Sequence, residues 1–291
     1  METVRRSRPL FALAVTRTVR HVALTSAPMT AVALRPVTAV LAGASVGVLG
    51  GLIGLGGAEF RLPLLIGLFG FAALQAVILN KAMSLIVVVT ALPARLAVVP
   101  LGDVLEHWTV VVNLLAGTLV GAWAGASWAL KMRTVTLYRV LAALLVLIAA
   151  ALFASHSGEV ASLHLPEEVQ AVTGVVAGFF IGVVAAVMGV AGGELLIPTI
   201  VLLFAVDIRL AGSLSLAVSL PTMLVAFARY SRDGSFTVLG ANRRFVVLMA
   251  TGSVVGTTVG GLAAGAVSND VLVPLLCALL LASSWKVWSH R

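Results

Sequence analysis

The chain has 291 residues, of which 60% are hydrophobic and 10% are charged, and its mean hydropathy is +1.13. A soluble domain of this length cannot cover so much apolar surface with so few charges, so the composition excludes a soluble protein and predicts one embedded in a membrane. The single cysteine, Cys277, excludes a disulfide framework.

Ten apolar segments run along the chain, five in each half. They span residues 37–56, 62–79, 82–100, 108–130, 137–154, 169–189, 195–206, 211–228, 244–266 and 270–288. Backbone groups in lipid need internal partners and the runs do not alternate, so we predict an all-α integral membrane protein rather than a barrel. The first two segments of each half are either full crossings or a broken, re-entrant pair, which gives eight to ten transmembrane segments.

The two halves repeat at an offset of 135 residues. Glycines recur in seven pairs, namely Gly43/Gly178, Gly47/Gly182, Gly54/Gly189, Gly57/Gly192, Gly117/Gly252, Gly121/Gly256 and Gly125/Gly260. A fixed period indicates a duplicated architecture, which in membrane proteins is typical of transporters with one central site. The last three pairs recur every four residues, and this spacing predicts close helix packing, including packing between the halves.

Charged residues in the loops predict the topology. Fifteen of the 19 basic residues precede the first segment, follow the tenth, or lie in the loops after the fourth and eighth, whereas the loops after the third, fifth and ninth carry acidic side chains only. By the positive-inside rule both termini are cytoplasmic, so the net charge of +8 requires no nucleic-acid partner. Each half has an odd number of crossings, which predicts that the two halves are inverted relative to each other.

These assignments divide the chain into four parts. Residues 1–35 form a basic cytoplasmic tail, 36–155 the first transmembrane repeat, 156–168 a periplasmic linker and 169–291 the second repeat. For the tail, the alternatives are a targeting segment or an overlong start with Met29 as the initiator.

A glycine-rich motif with a glutamate and a proline occurs once in each half. It reads Gly-Leu-Gly-Gly-Ala-Glu-Phe-Arg-Leu-Pro at residues 54–63 and Gly-Val-Ala-Gly-Gly-Glu-Leu-Leu-Ile-Pro at residues 189–198. Glycine permits unwound backbone and proline suits the first turn of a helix, so each motif predicts a break followed by a new helix N-terminus, a candidate anion site. Glu59 and Glu194 are candidate proton carriers, and the alternative is that they cap free N–H groups. Arg61 is interpreted as a local partner of Glu59, because the second motif has no basic residue there.

A polar cluster follows each motif. Asn80, Lys81 and Ser84 open the third segment, and Arg95 near its outer end is a candidate anion funnel; the alternative is that Lys81 lies in a loop and Arg95 reaches the membrane surface. The eighth segment supplies hydroxyl groups at the corresponding place, from Ser213, Ser215 and Ser219. Hydroxyl groups donate hydrogen bonds to oxyanions, although serines in membrane helices also serve in packing.

These motifs resemble those of the TauE/SafE permeases, the sulfite exporter (TSUP) family. The resemblance rests on the motif at residues 54–63, on Leu-Asn-Lys-Ala-Met-Ser-Leu at 79–85, on Leu-Pro-Ala-Arg at 92–95 and on Ala-Gly-Ser-Leu-Ser-Leu-Ala-Val-Ser-Leu-Pro-Thr at 211–222. It covers roughly residues 40–288. It implies a multi-pass bacterial inner-membrane permease for a sulfur-containing oxyanion such as sulfite, sulfoacetate, another sulfonate or thiosulfate.

The sequence therefore predicts a secondary transporter that works by alternating access. We expect its small anionic substrate to contact both halves, through Gly56, Gly57, Ala58, Glu59, Asn80, Lys81, Ser84, Gly192, Gly193, Glu194, Ser213, Ser215 and Ser219. The alternatives are a passive anion channel and a membrane assembly subunit that transports nothing by itself. No nucleophile–base pair, P-loop or helical metal-binding histidine pair occurs, so we expect neither an enzyme nor a metal or other cofactor.

Overall fold

The computed structural model describes residues 36–53, 56–98, 101–156, 166–232, 236–263 and 269–289, and these form helices and connecting turns without any strand. The predicted tail and most of the predicted linker lie outside these residues. The helices are α1 (Pro36–Ile53), α2 (Ala58–Gly67), α3 (Ala73–Val98), α4 (Leu101–Glu106), α5 (Trp108–Lys131), α6 (Thr134–His156), α7 (Glu167–Met188), α8 (Gly193–Phe204), α9 (Ile208–Ser231), α10 (Thr237–Ala241), α11 (Arg243–Ala263) and α12 (Asn269–Trp288).

Six of the described helices are long and apolar enough to cross a membrane, namely α3, α5, α6, α7, α9 and α11. Shorter apolar helices lie within α1, α8 and α12. The helices form because nearly every turn is apolar, and only a helix satisfies the backbone groups of such a segment in lipid. This confirms the prediction of an all-α integral membrane protein.

One predicted boundary is wrong. The sequence placed a break between the second and third segments at Asn80 and Lys81, whereas the chain turns between Gly67 and Ala73, with Gly70 at φ +72°. Lys81 is the ninth residue of α3 and lies neither at a helix start nor in a loop. The two polar residues continue the helix because tertiary partners, described below, satisfy their buried side chains.

Helix packing follows the same offset of 135 residues. α1 packs along α11, and α7, which is offset from α1 by one repeat, packs along α5. In the same way α2 contacts α12 whereas α8 contacts α6, and α3 contacts α9 between them. Each half therefore completes the packing of the other half.

Glycine ladders make the two closest helix pairs. A Cβ atom at Gly121 of α5 would overlap the carbonyl oxygen of Phe179 on α7, and one at Gly256 of α11 would overlap the carbonyl oxygen of Ala44 on α1. The two contacts are equivalent, because Gly121 corresponds to Gly256 and Ala44 corresponds to Phe179 at the offset of 135 residues. Only a residue without a side chain allows backbones to approach this closely. The predicted packing of the ladders between the halves is confirmed.

The repeat also fixes backbone conformation at the end of each short helix. Gly70 after α2 has φ +72°, and Ala205 after α8, at the equivalent position, has φ +53°. Ala205 is the only non-glycine residue of the described chain with a positive φ. Left-handed backbone costs a residue with a Cβ roughly 1–2 kcal/mol, so the turn at Ala205 is strained.

The short helix α2 lies in the interior. Eight of its ten side chains are buried, and two of the eight, Glu59 and Arg61, are charged residues. Phe69 and Phe71, just beyond α2, pack against Phe245 of α11 with ring centroids 4.8 and 5.4 Å apart. The fold thus holds the glycine-rich motif of the first half among helices of both halves.

Candidate functional site

Each half of the chain contains a helix break that leads into an uncapped helix N-terminus. α2 begins at Ala58 after Gly57, whose φ is +72°, and α8 begins at Gly193 after Gly192, whose φ is +87°. No side chain caps either N-terminus. The N–H groups of each first turn therefore have no helical partner and form the positive end of the helix dipole. The predicted breaks and new helix starts are confirmed.

The two prolines lie deeper in these helices than the sequence suggested. Pro63 and Pro198 are each the sixth residue of their helix, so the prediction that they occupy the first turn is wrong. The helices start earlier because a left-handed glycine turns the chain directly into the first turn. Since proline has no N–H group, the main-chain carbonyls of Glu59 and Glu194, four residues before, lack their usual helical donor.

Glu59 and Glu194 lie in the first turns of the two short helices and interact electrostatically with each other. Glu59 is 1% exposed, and all four carboxylate oxygens of the pair are buried without a hydrogen-bond partner among the described residues. The two carboxyl groups are close enough for one to hydrogen-bond to the other when one carries a proton. Each also lies beside its own backbone N–H group. Each half of the chain therefore contributes one carboxyl group to the same buried cluster.

Arg61 is fully buried and belongs to the same cluster. Its guanidinium group donates to Asn80 Oδ1 at 3.4 Å, to Ser84 Oγ at 3.4 Å and to the carbonyl oxygen of Gly56 at 3.5 Å. It also interacts electrostatically with Glu59, as the local pairing predicted. Sequence reasoning missed its wider role because the second half has no counterpart. The signal in the sequence was its place among the few basic residues outside the cytoplasmic loops.

Lys81 binds the end of the helix that precedes the second break. Its ammonium group donates to the carbonyl oxygens of Ala185 and Val190, both at 2.8 Å, and faces Glu194. A cation at a helix C-terminus adds a charged donor to the last carbonyls and complements the negative end of the dipole. Lys81 thus holds α7 in place beside the carboxyl pair.

Asn80 joins the breaks of the two halves. Its amide nitrogen donates to the carbonyl oxygen of Ala58 at 3.0 Å and to that of Met188 at 3.3 Å. Ser84, one turn further along α3, donates to the carbonyl oxygen of Gly189 at 3.4 Å. The predicted polar residues of α3 therefore come together with both breaks.

The predicted serines of α9 are buried but differ in their bonding. Ser215 donates to the carbonyl oxygen of Gly212 at 2.8 Å, whereas the hydroxyl groups of Ser213 and Ser219 have no hydrogen-bond partner in the described part of the chain. The described hydrogen bonds do not connect these serines to the carboxyl pair. The side chain of Arg95, the predicted funnel, lies outside the described residues.

Tyr230 is a contact that sequence reasoning did not find. It is fully buried near the end of α9, and its hydroxyl group donates to the carbonyl oxygen of Ala186 at 3.0 Å. Ala186 lies next to Ala185, so Tyr230 and Lys81 hold the same last turn of α7. A lone tyrosine at the end of an apolar segment gave no pattern that could predict this bond.

The four ionisable side chains of the cluster balance each other. Two of them are the carboxyl groups of Glu59 and Glu194, one in each half. The other two are the cations Arg61 and Lys81, both in the first half. With all four charged the formal sum is zero. No group of three or more potential metal ligands occurs in the described chain.

The family follows from a match along most of the sequence. A family model described as sulfite exporter TauE/SafE matches residues 8–152 and 174–291. The chain belongs to this family. No curated protein and no solved structure matches it. A TauE/SafE protein with these helices is a multi-pass membrane transporter of the sulfite-exporter type. The match includes both helix breaks and begins within the predicted basic tail.

Proposed function

We propose that this TauE/SafE protein is a secondary transporter for a small sulfur-containing oxyanion, such as sulfite or an organosulfonate, and that it works by alternating access. The observation that carries the proposal is the meeting of two uncapped helix N-termini, one from each half, beside a buried cluster of charged residues. A site made by both halves can open to either side as the halves move relative to each other.

The two N-termini supply suitable donors for an oxyanion. N–H groups at a helix start point at a bound anion, and the dipole favours its negative charge. The glycine-rich stretches at Gly56–Ala58 and Gly192–Gly193 carry little or no side chain that would keep an anion from the backbone. Asn80, Lys81 and Ser84 of α3, with Ser213, Ser215 and Ser219 of α9, complete the proposed binding set. These polar groups are buried, as specific recognition of a small ion requires.

The topology is part of the proposal. The basic loops support a topology with both termini in the cytoplasm of a bacterium and the protein in its inner membrane. The two halves of five apolar segments each, 36–155 and 169–291, would then be inverted repeats about the carboxyl pair. The exchange of packing partners between the halves supports this arrangement, because the most extensive helix contacts of one half have their equivalents in the other.

We propose that a proton carried by Glu59 or Glu194 couples transport of the oxyanion to the proton gradient. An ionisable carboxyl group among membrane helices is costly and is usually retained for ion or proton movement. Neither carboxylate has a hydrogen-bond partner among the described residues.

Thermal unfolding of the purified protein against a panel of anions tests the substrate class. The panel contains sulfite, thiosulfate, sulfoacetate, taurine, sulfate, phosphate and acetate at fixed ionic strength and pH. A ligand at 100 times its dissociation constant stabilises the folded state by about 2.7 kcal/mol. We expect a selective shift with one or more of the organic or inorganic sulfur oxyanions. No shift with any anion would contradict an anion site between the helix N-termini.

Flux measurements separate the transporter from its two competitors. A transporter carries its substrate back and forth, so substrate on the far side accelerates entry. A passive anion channel shows no such acceleration, and an assembly subunit shows no flux without a partner protein.

A further inference from the structure

We propose that Glu59 and Glu194 form a single proton-binding site, and that one proton and one monovalent sulfur oxyanion load together so that the loaded site is electrically neutral. The inference rests on the proposed function and adds to it the charge of the transported species and the stoichiometry of coupling. It is drawn from the geometry of the carboxyl pair and from the charges that surround it.

The pair acts as one unit because Asn80 ties together the breaks that precede the two carboxyl groups, donating to the carbonyl oxygens of Ala58 and Met188, and because both carboxyl groups are buried there. Two ionised carboxylates that are buried near each other repel strongly, because a protein interior screens charges less than water does. One proton changes the repulsion into a hydrogen bond, in which the O–H group of one carboxyl donates to the carboxylate of the other. A second proton would remove that acceptor charge. The other described side chains do not offer a hydrogen bond to either carboxylate.

The surrounding charges set the number of ions that can load. Arg61 and Lys81 contribute two positive charges, and the ionised pair contributes two negative charges. The empty, deprotonated site is therefore neutral. One bound proton makes it +1, and a monovalent oxyanion returns it to zero. A proton alone or an anion alone leaves a buried net charge, which is costly in the interior of a membrane protein. The two neutral states are thus the ones in which the site can close.

The neighbouring helices carry few other titratable residues near the middle of their sequences. α1 has no titratable side chain. Cys277, near the middle of α12, donates to the carbonyl oxygen of Ala149. Tyr230, near an end, donates to Ala186. The other titratable residues on helices packed against α2 and α8 lie toward helix ends in the sequence, namely Arg95, Tyr138, Arg139, His156, Glu167, Glu168, Arg209, Arg229, Asp270 and Lys286.

The helix N-termini explain why the two ions load together. Each carboxyl group lies beside its own backbone N–H group, and that N–H group belongs to the set proposed to bind the oxyanion. An ionised carboxylate therefore competes with the substrate for the same donors. Protonation of the pair weakens this competition and frees N–H groups for the anion. Because coupling is reciprocal, a bound anion in turn favours the bound proton.

The first test measures charge movement in proteoliposomes that contain the complete protein. Sulfite and methanesulfonate serve as substrates, and potassium gradients with valinomycin impose a membrane potential of either sign. Neutral loading predicts that the accumulation ratio changes less than twofold over about 100 mV. Movement of one net charge changes the ratio about 50-fold over the same range. A change of that size would overturn the inference while leaving the transporter itself intact, whereas absence of flux with both substrates would overturn the proposed function too.

The second test compares E59Q with E194Q. Glutamine keeps the size of the side chain and its hydrogen-bonding capacity but cannot release a proton. Either substitution leaves the loaded site neutral and the empty site at +1. We therefore expect both variants to lose sulfite accumulation driven by a pH gradient, and to lose it to the same extent. E167Q, in the exposed first turn of α7, is the matched control and should accumulate sulfite like the wild type.

Unequal variants would contradict the inference. If one glutamine variant keeps proton-driven accumulation while the other loses it, the carboxyl groups act separately and only one carries the proton. If a variant does not fold, the charge measurement on the wild-type protein decides the question by itself.

Discussion

Replacing Lys81 with methionine is expected to destabilise the protein through the helix break of the second half. Methionine has nearly the length of lysine but donates no hydrogen bond. The carbonyl oxygens of Ala185 and Val190 would each lose a charged donor at 2.8 Å, in an interior where no water replaces it. Each such bond contributes about 1.5–3 kcal/mol. Glu194 would also lose the cation that it faces.

The loss of the buried ammonium group offsets part of this cost, because its dehydration is no longer required. We therefore expect the lower end of the range for the two bonds together, about 3 kcal/mol. A domain of 150–250 residues changes its melting temperature by about 2–4 °C per kcal/mol, which gives a decrease of about 6–12 °C.

A thiol-reactive fluorophore provides the assay, since Cys277 is the only cysteine of the chain and is buried in the folded state. Its reaction with the dye reports unfolding. K131M, at the exposed end of α5, is the matched control and should change the melting temperature by less than about 2 °C, as surface substitutions do. A melting temperature for K81M equal to that of the control would refute the assignment of Lys81 to the end of α7.

Three further predictions follow from the packing and the backbone. G121A should lower the melting temperature by several degrees, because its Cβ would overlap the carbonyl oxygen of Phe179, whereas G240A has open space and should not change it. A205G should raise the melting temperature slightly, because glycine relieves about 1–2 kcal/mol of left-handed strain. The greater entropy that glycine gives the unfolded chain offsets only part of this gain. N80L should abolish substrate-induced stabilisation in the anion panel, because the breaks of both halves lose their common donor; a normal ligand shift in N80L would contradict this role.

Features that depend on local pattern were predictable from the sequence. The apolar runs predicted helices, and the left-handed glycines at Gly57 and Gly192 follow the breaks that the repeated motif predicted. The glycine ladders predicted their own packing, because four-residue spacing produces a smooth helix face. The glutamates were identified as candidates because a carboxyl group in an apolar segment requires an explanation.

Features that depend on distant partners were not predictable. Lys81 was placed at a segment start because a cation in an apolar run suggests a boundary, but its partners lie about a hundred residues later in the chain. Arg61 was interpreted only as a partner of Glu59, since the repeat gave it no counterpart, although it also binds Asn80 and Ser84. Pro63 was placed in a first turn because the pattern could not show how far upstream the helix begins.

Counterflow of sulfite in proteoliposomes tests the central proposal most directly. Vesicles containing the purified protein are loaded with unlabelled sulfite, diluted into labelled sulfite, and compared with vesicles that contain no internal sulfite. Alternating access predicts that internal sulfite accelerates the entry of label severalfold and causes a transient accumulation, which protein-free vesicles do not show. Entry of label at the same rate with and without internal sulfite would contradict a transporter with one site that opens to either side.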